Sequence, residues 1–171
     1  SGVTTEQFTA MIGESIKPLI GNHMQQGLPL EVSFAKLFGE ARYLLASDIT
    51  AQSQSKAAPT YQYYFDYVPD GYRDNWLGAP HASELPLLFN QGSQHYPDIG
   101  LTSKTGKQLR NYWVSFIKTG NPNGNNSVTW PQVDSQGLWL VFNDDQVVVS
   151  PAVSNSLTTL KDVWPTLRAT Q

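Results

Sequence analysis

The 171-residue chain contains no cysteine, which removes disulfides, thiolate nucleophiles and cysteine-based zinc sites together. The compartment stays open, because a secreted protein need not contain cystines. Charge is also scarce: 11 Lys and Arg with 14 Asp and Glu make up 15% of residues, against roughly 25% in an average soluble protein. The net charge of -3 is spread without blocks. A duplex-binding footprint needs a clustered positive face, so nucleic acid is not an expected partner. No apolar run approaches the ~20 residues that cross a bilayer as a helix, and no membrane span is expected. The opening SGVTTEQ carries no basic-then-apolar leader, and a mature end, a cut end and an engineered end all read this way.

Neutral polarity takes the place of charge. Ser, Thr, Asn and Gln account for 51 of the 171 residues, while 40% are apolar, enough to bury a core and to argue against wholesale disorder. The length fits one domain or part of a larger one.

Hydrophobic spacing predicts a mixed α/β chain. Phe8, Met11, Ile12, Ile16, Leu19 and Ile20 share one side of a helix that starts at Thr4 or Thr5 and stops at Gly21. Residues 22–30 read as loop. A second helix is expected from Val32 to Ala46, continuing or restarting to Ala58, with Phe34, Leu37, Phe38, Tyr43, Leu44 and Leu45 as its apolar stripe. Thr60 to Val68 alternates in β-favouring residues and is the clearest strand. A short helix is expected over Ser83–Phe89 and a longer one from Thr102 or Ser103 to Thr119, turning Leu109, Trp113, Phe116 and Ile117 inward. Leu138–Phe142 and Gln146–Ser150 read as a hairpin, and Ser156–Arg168 as a closing helix with Pro165 late in it.

Chemistry-bearing residues are few. Of the three histidines, His23 and His95 sit in polar segments where solvation is the default reading. His81 stands in WLGAPHASELP, between the expected strand and a short helix, in the kind of loop where scaffolds place catalytic groups. Glu84 follows three residues later, on the same helical face. That spacing permits a half-site for a metal, but no third ligand is clustered with it; a carboxylate bonding locally at a helix start is the simpler reading. Trp76 precedes His81 by five residues, in a stretch holding seven of the twenty aromatics; pocket wall and packing anchor both fit it. There is no GxSxG elbow and no GxxxxGK[ST] loop. Asn125-Asn126-Ser127 is a formal glycosylation sequon.

PTYQYYFDYVP, GAPHASELPLLFN, YWVSFIKTGNPN and WPQVDSQGLWLVF, in that order from Pro59 to Trp164, resemble the C-terminal third of a type-B carboxylesterase. That family holds cholinesterases, para-nitrobenzyl esterases and fungal esterases and lipases. The resemblance implies an α/β-hydrolase fold, with the chain as its C-terminal segment: residues 1–58 a helical region, residues 59–171 the last strands, the histidine loop and the closing helix. It makes His81 the catalytic histidine and gives Glu84 a supporting role beside it, distinct from the triad acid. Trp76 and Leu77 become one wall of the substrate cleft. The family's usual glycine after the histidine is replaced here by Ala82.

In α/β-hydrolases the triad runs Ser, then Asp or Glu, then His. Nucleophile, acid and oxyanion loop are therefore expected upstream of this chain, and its partners are the N-terminal part of the same enzyme and a small-molecule ester. No metal or organic cofactor is implied. A homodimer through helices near 103–119 and 156–168 fits the resemblance, as does a non-catalytic binding or adhesion module, because the deciding serine lies outside these residues.

Overall fold

The computed structural model describes residues 17–92, 103–134, 136–144, 146–151, 153–154 and 156–169. Most of the expected first helix, His95 and Thr102 lie outside them. The residues fall into two compact units, one drawn from Ser1–Thr50 with Ser154–Gln171 and the other from Ala51–Val153. No helix among the described residues is long and apolar enough to cross a membrane.

In the first unit, helix α1 (Lys17–Gln25) runs straight through Gly21, contrary to the expected stop there. A mid-helix glycine costs about 1 kcal/mol relative to alanine. Burial of Leu19 and Ile20 just before it returns about 1.5–3 kcal/mol each, so packing wins. The stop is Gly27, at φ 83°, whose N–H bonds the Met24 carbonyl at 2.9 Å. Helix α2 (Leu30–Gly39) passes without a break through a π-helical segment (Glu40–Leu44) into α3 (Leu45–Gln54). The wider π turn resets the buried face. Leu37, Leu44 and Leu45 are buried, whereas Phe38 and Tyr43, expected on the stripe, stand exposed with the Arg42 guanidinium 5.8 and 5.7 Å from their ring centres. Helix α6 (Ser156–Ala169) accommodates Pro165 within its length and buries Leu157 and Leu160. Its Lys161 reaches the buried Asp48 of α3 at 2.7 Å.

The second unit is a three-stranded sheet with two helices. Strand β1 (Tyr63–Phe65) pairs in parallel with β2 (Trp139–Phe142), and β2 pairs antiparallel with β3 (Val147–Ser150), in the order β1-β2-β3. The expected strand over 60–68 narrows to three regular residues, but its pairing extends further: Val133 N–H bonds the Thr60 carbonyl at 2.8 Å and Asp66 N–H bonds the Phe142 carbonyl at 2.7 Å. Gln62 is buried, and its carbonyl accepts the Trp130 indole N–H at 2.9 Å. Trp130 is the hub of the core, meeting Tyr61, Tyr63, Tyr112 and Phe142 edge-on at centroid distances of 5.6–6.3 Å. The aromatic face of β1 is thus packing surface.

Helix α4 (Glu84–Phe89) lies against α5 (Lys104–Thr119). Gly106 allows the approach, since a Cβ there would stand 3.2 Å from Leu87, and Arg110 bonds the Leu87 carbonyl. The Ser103 hydroxyl caps the start of α5 by accepting Gly106 N–H at 3.0 Å, and Gly120 ends it at φ 73°. Leu109 and Tyr112 form its inward face, with Trp113 half-buried. Phe116 and Ile117 were expected inside; Phe116 is exposed and Ile117 is 74% exposed. In the last turn Phe116 meets Tyr61 edge-on at 5.9 Å.

Candidate functional site

The loop from β1 to α4 carries the expected site residues. Because β1 and β2 are parallel, with Phe65 opposite Phe142, both chains leave the sheet at the same end. In open α/β sheets that carboxyl end is where ligands bind.

The loop is tied down in stages. Asp144, in the turn between β2 and β3, accepts Val68 N–H at 2.7 Å and pairs with the Arg73 guanidinium, which also reaches Asp70 at 2.9 Å. These carboxylates, Asp144 first, raise the Arg73 pKa above its ordinary value and keep it charged. A short 3-10 turn (Asp70–Tyr72) follows. The Tyr72 and Trp76 rings meet at a centroid distance of 4.4 Å with their planes tilted by 35°, and both pack against the aromatic core. Trp76 is therefore half-buried, while Leu77 beside it is 63% exposed.

His81 sits in the four-residue turn Pro80–Ser83, closed by Ser83 N–H to the Pro80 carbonyl at 3.1 Å. Ala82 occupies the third position of that turn at φ 66°. Turns with positive φ at the third position favour glycine, which gives a backbone reason for the glycine expected there by resemblance. Ser83 is buried, and its hydroxyl has no hydrogen-bond partner among the described residues. His81 itself is exposed, just ahead of α4.

Glu84 opens α4 three residues later, in the first turn where the helix dipole favours a carboxylate. Its charge acts on Tyr63: burial, then Glu84, raises the Tyr63 pKa above the usual tyrosine range. The loop thus brings His81, Glu84, Trp76 and Leu77 into one segment, with Trp76 anchored inward and Leu77 and His81 outward.

His23 corrects the expectation of a solvated loop histidine. It lies within α1, 7% exposed, with Nε2 3.1 Å from Glu40 Oε2 and 3.3 Å from Ser156 Oγ. The Ser154 hydroxyl donates to Glu40 Oε1 at 2.7 Å. Serine, histidine and acid are together here, yet not as a triad. A triad needs the acid on the ring nitrogen opposite the serine; here both meet Nε2, and Ser156 is buried. Helical periodicity through Leu19, Ile20 and His23 was the available signal for this burial. Arg73 and Asp144 carried no sequence signal beyond turn composition.

The carboxylesterase family profile matches residues 15–160 of this chain. Cocaine esterase of Homo sapiens is 26% identical over 133 residues, covering 75% of this chain and 23% of that protein. Liver carboxylesterase 1 of Mus musculus is 31% identical over 147 residues, covering 80% and 24%. The chain spans about a quarter of the length of these curated relatives. Among solved structures, carboxylesterase EST55 of Geobacillus stearothermophilus superposes with a TM-score of 0.70 at 20% identity, over 93% of this chain and 34% of that one. EstA of Aspergillus niger gives 0.67 at 16% identity, over 97% and 37%. These likenesses assign the chain to the α/β-hydrolase fold, of which it forms a part.

Proposed function

We propose that this chain, which belongs to the carboxylesterase family, supplies the general base of a serine carboxylic-ester hydrolase, and that His81 is that base. The observation that carries the reading is the placement of His81: exposed on a closed turn, on the connection that leaves the carboxyl end of the parallel β1–β2 pair. The nucleophilic serine, the acid that holds the imidazole tautomer and the oxyanion donors belong to an upstream part of the same enzyme.

In the first step the serine hydroxyl attacks the ester carbonyl while neutral His81 accepts its proton. The resulting imidazolium then protonates the departing alkoxide, leaving an acyl-serine and free alcohol. Water enters, gives a proton to His81 and attacks the acyl carbon, and His81 returns that proton to the serine. No metal or organic cofactor takes part in these steps. Glu84 supports the head of α4 behind the histidine, and Trp76 with Leu77 forms one wall of the ester pocket. The exposed Val114, Phe116 and Ile117 of α5 support a further contact surface, for the upstream part or a second copy.

The test is His81→Ala in the full-length protein, assayed on a small activated ester. A fall in kcat of roughly 10⁴-fold is expected, by analogy with other triads; near-parent turnover would overturn the assignment. Labelling of the parent by a fluorophosphonate probe is expected as well. A folded, unlabelled protein would favour a non-catalytic binding or adhesion module on the same scaffold.

A further inference from the structure

We propose that Asp144 is a positioning residue for His81, holding the histidine loop at the carboxyl end of the parallel strands. The inference rests on the reading of His81 as general base, and adds to it a residue 63 positions away in sequence (144 minus 81).

Asp144 stands two residues beyond β2, and Val68 three residues beyond β1. Parallel pairing brings these two exits side by side. One carboxylate oxygen of Asp144 accepts Val68 N–H at 2.7 Å, and the other takes the Arg73 guanidinium. A single side chain therefore grips the loop at two points five residues apart (73 minus 68). Asp144 is the inner partner: its side chain is 27% exposed, against 45% for Arg73.

The grip is built on a fixed base. Within its turn, Asn143 N–H bonds the Gln146 carbonyl at 3.1 Å, and Gln146 N–H bonds the Asn143 side-chain oxygen at 2.9 Å. The buried Thr105, in the first turn of α5, donates its hydroxyl to the Asn143 carbonyl at 3.3 Å. The sheet and α5 thus hold the turn, the turn holds Asp144, and Asp144 holds the loop. The Tyr72–Trp76 ring contact, which spans Arg73, continues the restraint, and five residues after Trp76 comes His81. A general base works only within hydrogen-bond reach of its proton, and a 1 Å displacement caused far from the chemistry costs on the order of 100-fold. Two bonds at the root of the loop are where such a displacement is prevented.

The full-length enzyme and four variants test this with para-nitrophenyl acetate, active sites being counted with a fluorophosphonate. Asp144→Ala is expected to lower kcat per titrated site about 10- to 100-fold with KM within about threefold. Asp144→Asn, which keeps an acceptor for Val68 N–H, is expected to recover part of that loss. Parent kcat per site in folded Asp144→Ala, with only the number of active sites reduced, would overturn the proposal in favour of a purely structural role. Should Asp144→Ala fail to fold, Arg73→Ala decides, since it leaves the Asp144–Val68 bond in place: a severalfold loss of kcat at constant KM supports the grip, and unchanged kcat overturns it. His81→Ala run in parallel separates the two readings. If it keeps turnover, the assignment of His81 fails; if it loses turnover while Asp144→Ala does not, the positioning role alone fails.

Discussion

The charge of Glu84 at the head of α4 is felt by the Tyr63 phenol of β1, whose pKa lies above its ordinary range because of burial first and Glu84 second. In the folded state the phenol therefore stays protonated where an unfolded chain would lose the proton, near pH 10. Stability should be unaffected below that value and fall as pH rises above it, because there the unfolded state binds fewer protons than the folded one. Tyr63→Phe should match the parent's pH trend at neutral pH and lose less stability above about pH 10. Glu84→Gln should shrink the alkaline loss by a smaller amount, as burial is the larger cause. Urea midpoints of the full-length protein measured across that range check both, and parallel pH profiles for parent and Tyr63→Phe would refute the first.

Ala82 pays for its place in the His81 turn. A left-handed alanine costs roughly 1–2 kcal/mol that glycine does not, and at φ 66° Ala82 carries that strain. Ala82→Gly is expected to raise stability by about 1 kcal/mol net of the entropy glycine brings to the unfolded chain. Ala82→Val should destabilise and depress esterase activity together, because a β-branched residue resists positive φ. Chemical denaturation of the two variants in the full-length protein measures the first effect; a glycine variant less stable than the parent would contradict it.

Glu40 joins α1 to the residues entering α6 through His23 at 3.1 Å and Ser154 at 2.7 Å. Glu40→Ala removes the acceptor from the buried His23 and the half-buried Ser154, which costs about 1–3 kcal/mol for a buried polar group left unsatisfied. Glu40→Gln keeps one oxygen and should cost less than half as much. The ordering of unfolding midpoints in the full-length protein, parent above Gln above Ala, is the expected result. Equal midpoints would mean that solvent replaces Glu40 at no cost.

What could be read from the sequence was local. Ser103 as a cap and Gly120 as a stop bounded α5, the turn after Phe142 set the β2–β3 hairpin, and Gly-Ala-Pro ahead of His81 marked the strand-turn-helix setting in which His81 is found. What escaped depends on residues distant in sequence or on competing energies. Tyr63 pairs with Leu140, which no alternation within either strand can announce. Gly21 stays helical because its neighbours are buried, and the π turn at Glu40 changes which residues face inward without changing composition. His23 reads as a loop histidine because Gly21 signals a helix end, which burial of Leu19 and Ile20 overrides. Asp144 looked like an ordinary turn residue, since its partners Val68 and Arg73 lie more than seventy positions earlier.

The second unit ends in apolar surface that nothing among the described residues covers. Leu85 and Phe89 lie four apart on α4, both exposed, with Phe89 at 72%. Val114, Phe116 and Ile117 expose a second patch on α5. Among the described residues strand β1 pairs with β2 alone and lies at the edge of the sheet, and a sheet edge is a site for aggregation unless it is occupied. Each large side chain left in water forgoes roughly 1.5–3 kcal/mol of burial, and several such losses rival the 5–15 kcal/mol by which a typical domain is stable. On the reading of the chain as the C-terminal segment of an α/β-hydrolase domain, an upstream part covers these surfaces. Residues 1–171 expressed alone are therefore expected to aggregate or to melt without a cooperative transition, and to show no ester hydrolysis. Co-expression with the upstream part should restore both folding and turnover. A cooperative thermal transition of the isolated segment would refute the folding claim. Turnover by it that disappears in His81→Ala would go further, because a serine and an acid able to serve His81 would then have to lie within this chain.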